Sequence, residues 1–313
     1  MTTAIAYTEF GGPEVLHEIP LPEQAPGSGE VAIRVAAAGV NPIDAKLRSG
    51  LRPSAAITEP RRVGADGAGV VTAVGAGVDG FRVGDSVLFS GVSGAYATDI
   101  VVSARHVFAR PTHVSAAEGA ALGIPVSTAY QALRSLAVGA GDTLLVHGGS
   151  GAVGQAVIQF AVLWGADVVA TTSDRRAERV RALGAIPVAY GDGLIDRVRE
   201  AAPQGVTVAI DAAGTDEALE TSIELVPDRH RIATLVRGRD AGGLGIRAFS
   251  GGSPDPLTAQ QQTWRAEAVP VAIALMVAGH FSVELGPTFA LADATEAHRA
   301  VEAGVDGKIT LVP

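Results

Sequence analysis

Six consecutive residues, Gly149-Ser150-Gly151-Ala152-Val153-Gly154, have the types and spacing of a phosphate cradle. The apolar run Thr143-Leu144-Leu145-Val146 precedes them, and Val153, Ala156, Val157, Phe160 and Ala161 follow at helical spacing. Strand, glycine turn and helix together form the context in which G-x-G-x-x-G binds a dinucleotide. Gly149 would allow the tight turn, Gly151 would let backbone approach a pyrophosphate, and Gly154 would let helix and strand pack closely. Helix N-terminal amides, here those of Ser150, Ala152 and Val153, would then face the phosphate charge. Six residues alone fit an ordinary strand–helix turn equally well, so the elements that follow must decide.

A chain that selects NAD places a carboxylate about 20 residues past the glycine turn, on the ribose 2′-hydroxyl. Here the second apolar run, Asp167 to Thr172, ends in Ser173, and no acid follows until Asp174. Arg175 and Arg176 come next. A carboxylate would repel a 2′-phosphate, whereas a hydroxyl and a guanidinium bind it, the guanidinium with two parallel donors. A solvated first helical turn accounts for one of the two arginines. A pair of cations there opposes the helix dipole, so a phosphate partner explains the pair better. Ser173 and Arg176 are therefore the expected 2′-phosphate contacts, and NADPH the expected cofactor.

Two further residues stand out by type. Lys46 and Lys308 are the only lysines in a chain with 24 basic residues. A lysine gives a compact charge able to polarise a carbonyl, which makes Lys46 a candidate for the reacting end and Lys308 a candidate cofactor contact. A solvated Lys46 fits the sequence as well. The seven histidines show no ligand spacing, and cysteine is absent, so disulfides, thiolate metal ligands and a cysteine nucleophile are excluded. Tyr96, in Gly94-Ala95-Tyr96-Ala97, reads as a packing residue.

The elements that must position these groups alternate regularly. After the first strand and helix, the segment 167–172 is expected as a strand, 175–183 as a helix closed by Gly184, 186–189 as a strand and 194–202 as a helix. Strands at 207–210, 231–236 and 245–249 follow, with a helix at 217–225. Such alternation with short connections implies a doubly wound parallel sheet, which binds ligands at the carboxyl ends of its strands. The stretch before it differs: β-like runs at 4–7, 31–37, 69–74, 86–89 and 97–102 lie between Gly- and Pro-rich turns, an antiparallel, barrel-like pattern. After the sheet come a helix toward Gly279 bent or broken at Pro270, a strand near Phe289, a helix at 294–303 and a last strand at 309–312.

The 313 residues suggest two domains, and 47% hydrophobic residues suffice for two cores. A net charge of −9 argues against nucleic-acid binding, which needs a basic face. The first nine residues lack the basic region and apolar core of a signal peptide, and no apolar run is long enough to span a bilayer. A soluble cytoplasmic protein with a small-molecule substrate is expected.

Taken in order, the motifs resemble a known family. They are Ala38-Gly39-Val40-Asn41-Pro42-Ile43-Asp44, Gly67-Ala68-Gly69-Val70-Val71 with Val83-Gly84-Asp85, Gly123 to Tyr130, Val146 to Gly154, Ala297-His298-Arg299 and Gly307-Lys308-Ile309. The chain resembles the zinc-independent medium-chain dehydrogenases/reductases of the quinone oxidoreductase (zeta-crystallin-like) group. The resemblance implies an α/β fold, with a Rossmann doubly wound domain at 123–261. It also implies a GroES-like, mostly antiparallel β-barrel domain from 1–122 with 262–313, and a cofactor in the cleft between the two. It places Asn41 near the nicotinamide, where Asn41 also serves as a turn residue before Pro42. Thr128 falls near the same end and can equally cap a helix through Tyr130 and Leu133. Ser173, Arg176 and Tyr190 fall near the 2′-phosphate, and an ordinary partly buried tyrosine at a sheet end fits Tyr190 nearly as well. Zinc-dependent relatives carry Gly-His-Glu where this chain reads Gly64-Ala65-Asp66; Asp44 and Asp66 alone make a poor zinc site. The implied reaction is hydride transfer from NADPH to a quinone or an α,β-unsaturated carbonyl compound, in a homodimer. An enoyl-thioester reductase of polyketide type and an NADPH-binding sensor or structural protein with little catalysis are the alternatives.

Overall fold

The N-terminal segment sets out strands β1 (Thr2–Tyr7), β2 (His17–Leu21) and β3 (Glu30–Gly39), then helix α1 (Pro42–Arg48), strands β4 (Arg61–Arg62), β5 (Asp66–Val74), β6 (Ser86–Ser90), β7 (Asp99–Ser103) and β8 (Val107–Ala109). In β3, Val31, Ile33 and Val35 are buried while their neighbours face outward, the period-two pattern of a half-buried strand. β3 pairs antiparallel with both β5 and β7; β5 continues to β6 and β6 to β8, also antiparallel. A second, three-stranded sheet has the order β2-β1-β4. Helix α2 (Ala116–Ser135) follows. Its start is a capping box: Ser115 Oγ accepts the Glu118 amide at 3.2 Å, and the Glu118 carboxylate accepts the Ser115 amide at 2.8 Å.

The next segment is the alternation expected from sequence: β9 (Thr143–His147), α3 (Ala152–Leu163), β10 (Asp167–Thr172), α4 (Ala177–Ala182), β11 (Ile186–Ala189), α5 (Leu194–Ala201), β12 (Val208–Asp211), α6 (Asp216–Leu225), β13 (Ile232–Thr234), α7 (Gly238–Leu244) and β14 (Arg247–Ala248). The sheet order is β11-β10-β9-β12-β13-β14 and every pairing is parallel. Numbered within this unit, that order is 3-2-1-4-5-6, the Rossmann arrangement. β9 lies at its centre and is buried along its whole length, as a strand covered on both faces must be. Leu145, Val169, Val188, Leu194, Val198 and Ala209 belong to its core.

The chain closes with α8 (Ala259–Val277), β15 (Leu285–Ala290), α9 (Ala294–Glu302) and β16 (Lys308–Val312). The helix of α8 runs through Pro270 without a break, so of the bend or break expected from sequence the break does not occur. β16 pairs antiparallel with β3 and parallel with β15, so the C-terminal strands complete the first sheet. Ile309 and Leu311 join the core of Ile33, Val71, Phe89 and Tyr96. This is a computed structural model; it describes residues 1–52, 54–249 and 255–313. Contacts divide it into two units, Met1–Ile124 with Val269–Pro313, and Pro125–Ala268. Among the described residues no helix is long and apolar enough to cross a membrane.

Candidate functional site

In the Rossmann unit the glycine turn follows β9 directly. Gly148, not Gly149, takes the left-handed conformation (φ 76°) and so makes the tight turn. β10 holds the turn from the side: the Gly149 amide donates to the Thr171 carbonyl at 2.9 Å and the Gly148 amide to Thr171 Oγ1 at 3.1 Å. A Cβ on Gly149 would lie 2.7 Å from Ala170 Cβ, and one on Gly154 would lie 2.2 Å from the Gly148 carbonyl oxygen. Both glycines are therefore required by the chain's own packing. Gly151 is different. Its φ is −74° and a Cβ there would approach nothing closer than the Gly148 oxygen at 3.5 Å. Nothing in the fold demands a glycine at 151.

Gly151 is the N-cap of α3 and has no side chain with which to cap it. Among the described residues, the first-turn amides of Ala152, Val153 and Gly154 have no acceptor, and Gly151 and Ala152 are exposed. Exposed amides at the head of a 12-residue helix fit an anionic pyrophosphate. Ser150 is anchored by its carbonyl, which accepts Gln155 Nε2 at 2.8 Å and Arg176 Nη2 at 3.4 Å. The second contact brings Arg176 onto the glycine turn. Gln155 in turn accepts Arg179 Nε at 2.8 Å. Sequence reading missed Gln155 and Arg179; their places on α3 and in the arginine-rich segment after β10 were the available signal.

Ser173 and Tyr190 leave the adjacent strands β10 and β11 one residue beyond the paired Thr172 and Ala189. Ser173 is half-buried and starts a single 3-10 turn, Asp174–Arg176, ahead of α4. Tyr190 is 61% exposed, so its ring is open to a ligand at the carboxyl edge of the sheet. Thr128 lies well inside α2, which begins at Ala116, and so is not a helix cap; its Oγ1 accepts Arg265 Nη1 at 3.4 Å. Asp211, at the end of β12, is fully buried and spent on structure: it accepts the amides of Ala213 and Gly214 and the Thr234 hydroxyl. His147 ends β9 fully buried, and burial depresses its imidazole to a pKa of about 4.

The first unit holds a second cluster, around Asn41. Asn41 is the N-cap of α1, with Pro42 in the first helical position and Asp44 Oδ2 accepting the Asn41 amide at 2.9 Å. Its side chain is used at both ends: Nδ2 donates to Asp66 Oδ2 at 3.0 Å, and Oδ1 accepts a short hydrogen bond from Lys308 Nζ. Asp66 also accepts the Ser90 hydroxyl at 2.8 Å and the Ile124 amide at 2.9 Å. That last bond falls where Pro125 lacks the amide that would continue the α2 ladder. Gly39 and Gly123 make the approach possible. A Cβ on Gly39 would be 2.0 Å from the Ala120 carbonyl oxygen, and one on Gly123 would be 2.1 Å from Asp66 Oδ1.

Charge in this cluster is tightly held. Asn41, Asp44, Asp66, Tyr96, His298 and Lys308 are all buried. Burial raises the Asp44 carboxyl to about 6, against the Asn41 amide, the Tyr96 hydroxyl (2.9 Å) and Lys308, which favour its charged form. Burial lowers the Lys308 ammonium, opposed by Asp66 and Asp44. His298, 3.4 Å from the Tyr96 hydroxyl, is lowered to about 3 by burial and by Arg48. Lys46, by contrast, is half-buried on α1 and outside this network. The structure thus joins Asn41 to Lys308, and Arg176 to the glycine turn. Among the described residues, no three His, Asp or Glu side chains gather as a metal site. Asp44, Tyr96 and His298 were read from sequence as separate residues, since positions so far apart give no sign of meeting.

Comparison with known proteins gives consistent results. The family described as "Alcohol dehydrogenase GroES-like domain" matches residues 27–112, and "Zinc-binding dehydrogenase" matches residues 152–238. The chain is 31% identical to pig quinone oxidoreductase over 329 residues, covering 100% of this chain and 98% of that protein. It is 39% identical to human quinone oxidoreductase over 182 residues, 56% of this chain and 54% of the human protein, so that match spans about half of the relative. A stretch of 159 residues, 50% of this chain, is 42% identical to 4% of the pikromycin polyketide synthase component PikAII of Streptomyces venezuelae. Among solved structures, Escherichia coli quinone oxidoreductase complexed with NADPH superposes with a TM-score of 0.85 at 26% identity, covering 99% of this chain and 100% of that one.

Proposed function

The chain belongs to the quinone oxidoreductase group of the medium-chain dehydrogenases/reductases, and on that footing we propose that it is an NADPH-dependent, zinc-independent oxidoreductase acting on a quinone or an α,β-unsaturated carbonyl compound. The observation that carries the proposal is the helix start at exposed Gly151 and Ala152, where the Ala152 and Val153 amides have no acceptor among the described residues, joined to Arg176 through the Ser150 carbonyl. The amides of Ala152 and Val153 bind the pyrophosphate. Ser173, Arg176 and Tyr190 receive the 2′-phosphorylated ribose, the guanidinium supplying charge and the tyrosine a face to pack on. Thr128 supplies a hydroxyl toward the nicotinamide end. Bound there, NADPH supplies a hydride equivalent.

Lys46 polarises the acceptor carbonyl and Asn41, its amide held by Asp66 and Lys308, helps to orient it by packing, so that the electron pair delivered to the β-carbon of an enone, or to a quinone, is drawn to oxygen. A proton from water or from the Lys46 ammonium then completes the saturated ketone or the hydroquinone. Zinc independence is supported by the donor set: the chain has no cysteine, Gly64-Ala65-Asp66 stands where zinc-dependent relatives carry Gly-His-Glu, and Asp66 is already committed to Asn41, Ser90 and Ile124.

The PikAII match favours a second reading, reduction of an enoyl thioester on the same scaffold. An NADPH-oxidation screen over quinones, enones, enals and enoyl thioesters separates the two. Turnover with quinones or free enones supports the first, and turnover confined to thioesters supports the second. NADPH binding with no oxidation across the whole set would overturn both.

A further inference from the structure

We propose that Lys308 is a positioning residue for Asn41, its buried ammonium fixing the orientation of the Asn41 amide for the reaction rather than contacting the cofactor itself. The inference rests on the function proposed above. Asn41 has two ends that differ only in which atom accepts. Asp66 can take only a donor, so it draws Nδ2; Lys308 can offer only donors, so it draws Oδ1. With both partners present a flipped amide would set Oδ1 against a carboxylate and Nδ2 against an ammonium. Either partner alone biases the orientation, and the two together determine it.

The choice of lysine follows from space. Lys308 is buried and its Cε lies 3.3 Å from where a Cβ on Gly39 would stand. A planar, five-donor guanidinium would need more room and more acceptors than Asn41 Oδ1 provides. In a chain that otherwise uses arginine almost throughout, a lysine here meets a requirement for one compact donor. Its charge also compensates Asp44 and Asp66, the two carboxylates that favour its protonated form. Those contacts account for the side chain: its ammonium faces the interior of the first unit, and Lys46, not Lys308, is the lysine with access to solvent.

The test begins with the ligand-free protein. The Asn41 side-chain amide resonances, assigned by their loss in Asn41→Ala, report its hydrogen bonds without turnover. Lys308→Ala is expected to shift them and speed their exchange with solvent, to leave the NADPH dissociation constant within about threefold, and to lower kcat for NADPH oxidation about 10²-fold. Lys308→Met, which keeps the apolar stem and removes the donor toward Asn41, carries the same comparison if Lys308→Ala does not fold. Unmoved Asn41 resonances would overturn the proposal, and so would a loss of NADPH affinity as large as the loss of kcat, which would make Lys308 a direct cofactor contact. Failure of the underlying function looks different: the wild-type protein would not bind or oxidise NADPH, while the Asn41 resonances would still follow Lys308.

Discussion

The three glycines of the turn answer to different demands, and substitution separates them. Gly154→Ala puts a methyl group 2.2 Å from a carbonyl oxygen that belongs to the backbone of the same turn. It should cost about 2 kcal/mol of stability, seen as a lower urea midpoint. Gly151→Ala meets no such obstacle and has an ordinary φ. It should leave the urea midpoint in place and weaken NADPH by about tenfold or more, because a methyl group would stand where backbone must approach a phosphate. Equal stability loss in both variants would remove the distinction. The motif's phosphate-cradle character was legible from six letters, but its internal division of labour was not. That Gly148 bears the left-handed turn depends on how β10 approaches from the side, through Thr171.

At the scale of elements, the alternating strands and helices were legible because a parallel sheet buried on both faces needs continuous apolar runs. The sequence reading and the structure agree on Ile186–Ala189 to the residue. Helix α7 was not anticipated: Gly238-Arg239-Asp240-Ala241-Gly242-Gly243-Leu244 has poor intrinsic helix propensity, and it forms over the core with Ala241 buried. Nor was the anchoring of four elements by one carboxylate. Asp66 on β5 ties the head of α1, the end of β6 and the middle of α2 through Asn41, Ser90 and Ile124. These partners lie 24 to 58 residues away, a separation that propensity and periodicity do not register. Asp66→Ala leaves those donors without their acceptor and removes a carboxylate whose charge favours the buried Lys308 ammonium. It should destabilise the protein by about 3 kcal/mol or more by urea unfolding. A change within experimental error would show that the cluster is not an anchor.

At the scale of the whole molecule, buried ionisable groups set how stability depends on pH. His147 and His298 titrate near 4 and 3 when folded, below the ordinary 6.5. The unfolded chain therefore binds more protons in between, and stability is lost as pH falls below 6.5. Asp44, raised to about 6 from 3.8, acts the other way, favouring the folded state as pH falls from 6 toward 4. Between pH 6.5 and 4.5 each histidine costs about 2 to 3 kcal/mol and Asp44 returns about 2 kcal/mol, so the unfolding free energy should decline over that range. His298→Gln should flatten that decline; a stability that rises on acidification would contradict it.

The central claim, that the turn at Gly149–Gly154 and Arg176 together form an NADPH site, is tested most directly by titrating wild type and Arg176→Ala with NADPH and with NADH. The wild-type protein should prefer NADPH, and Arg176→Ala should weaken NADPH by about 10- to 100-fold while leaving NADH nearly unchanged. Equal affinity of the wild type for both cofactors, or equal loss of both in the variant, would contradict it.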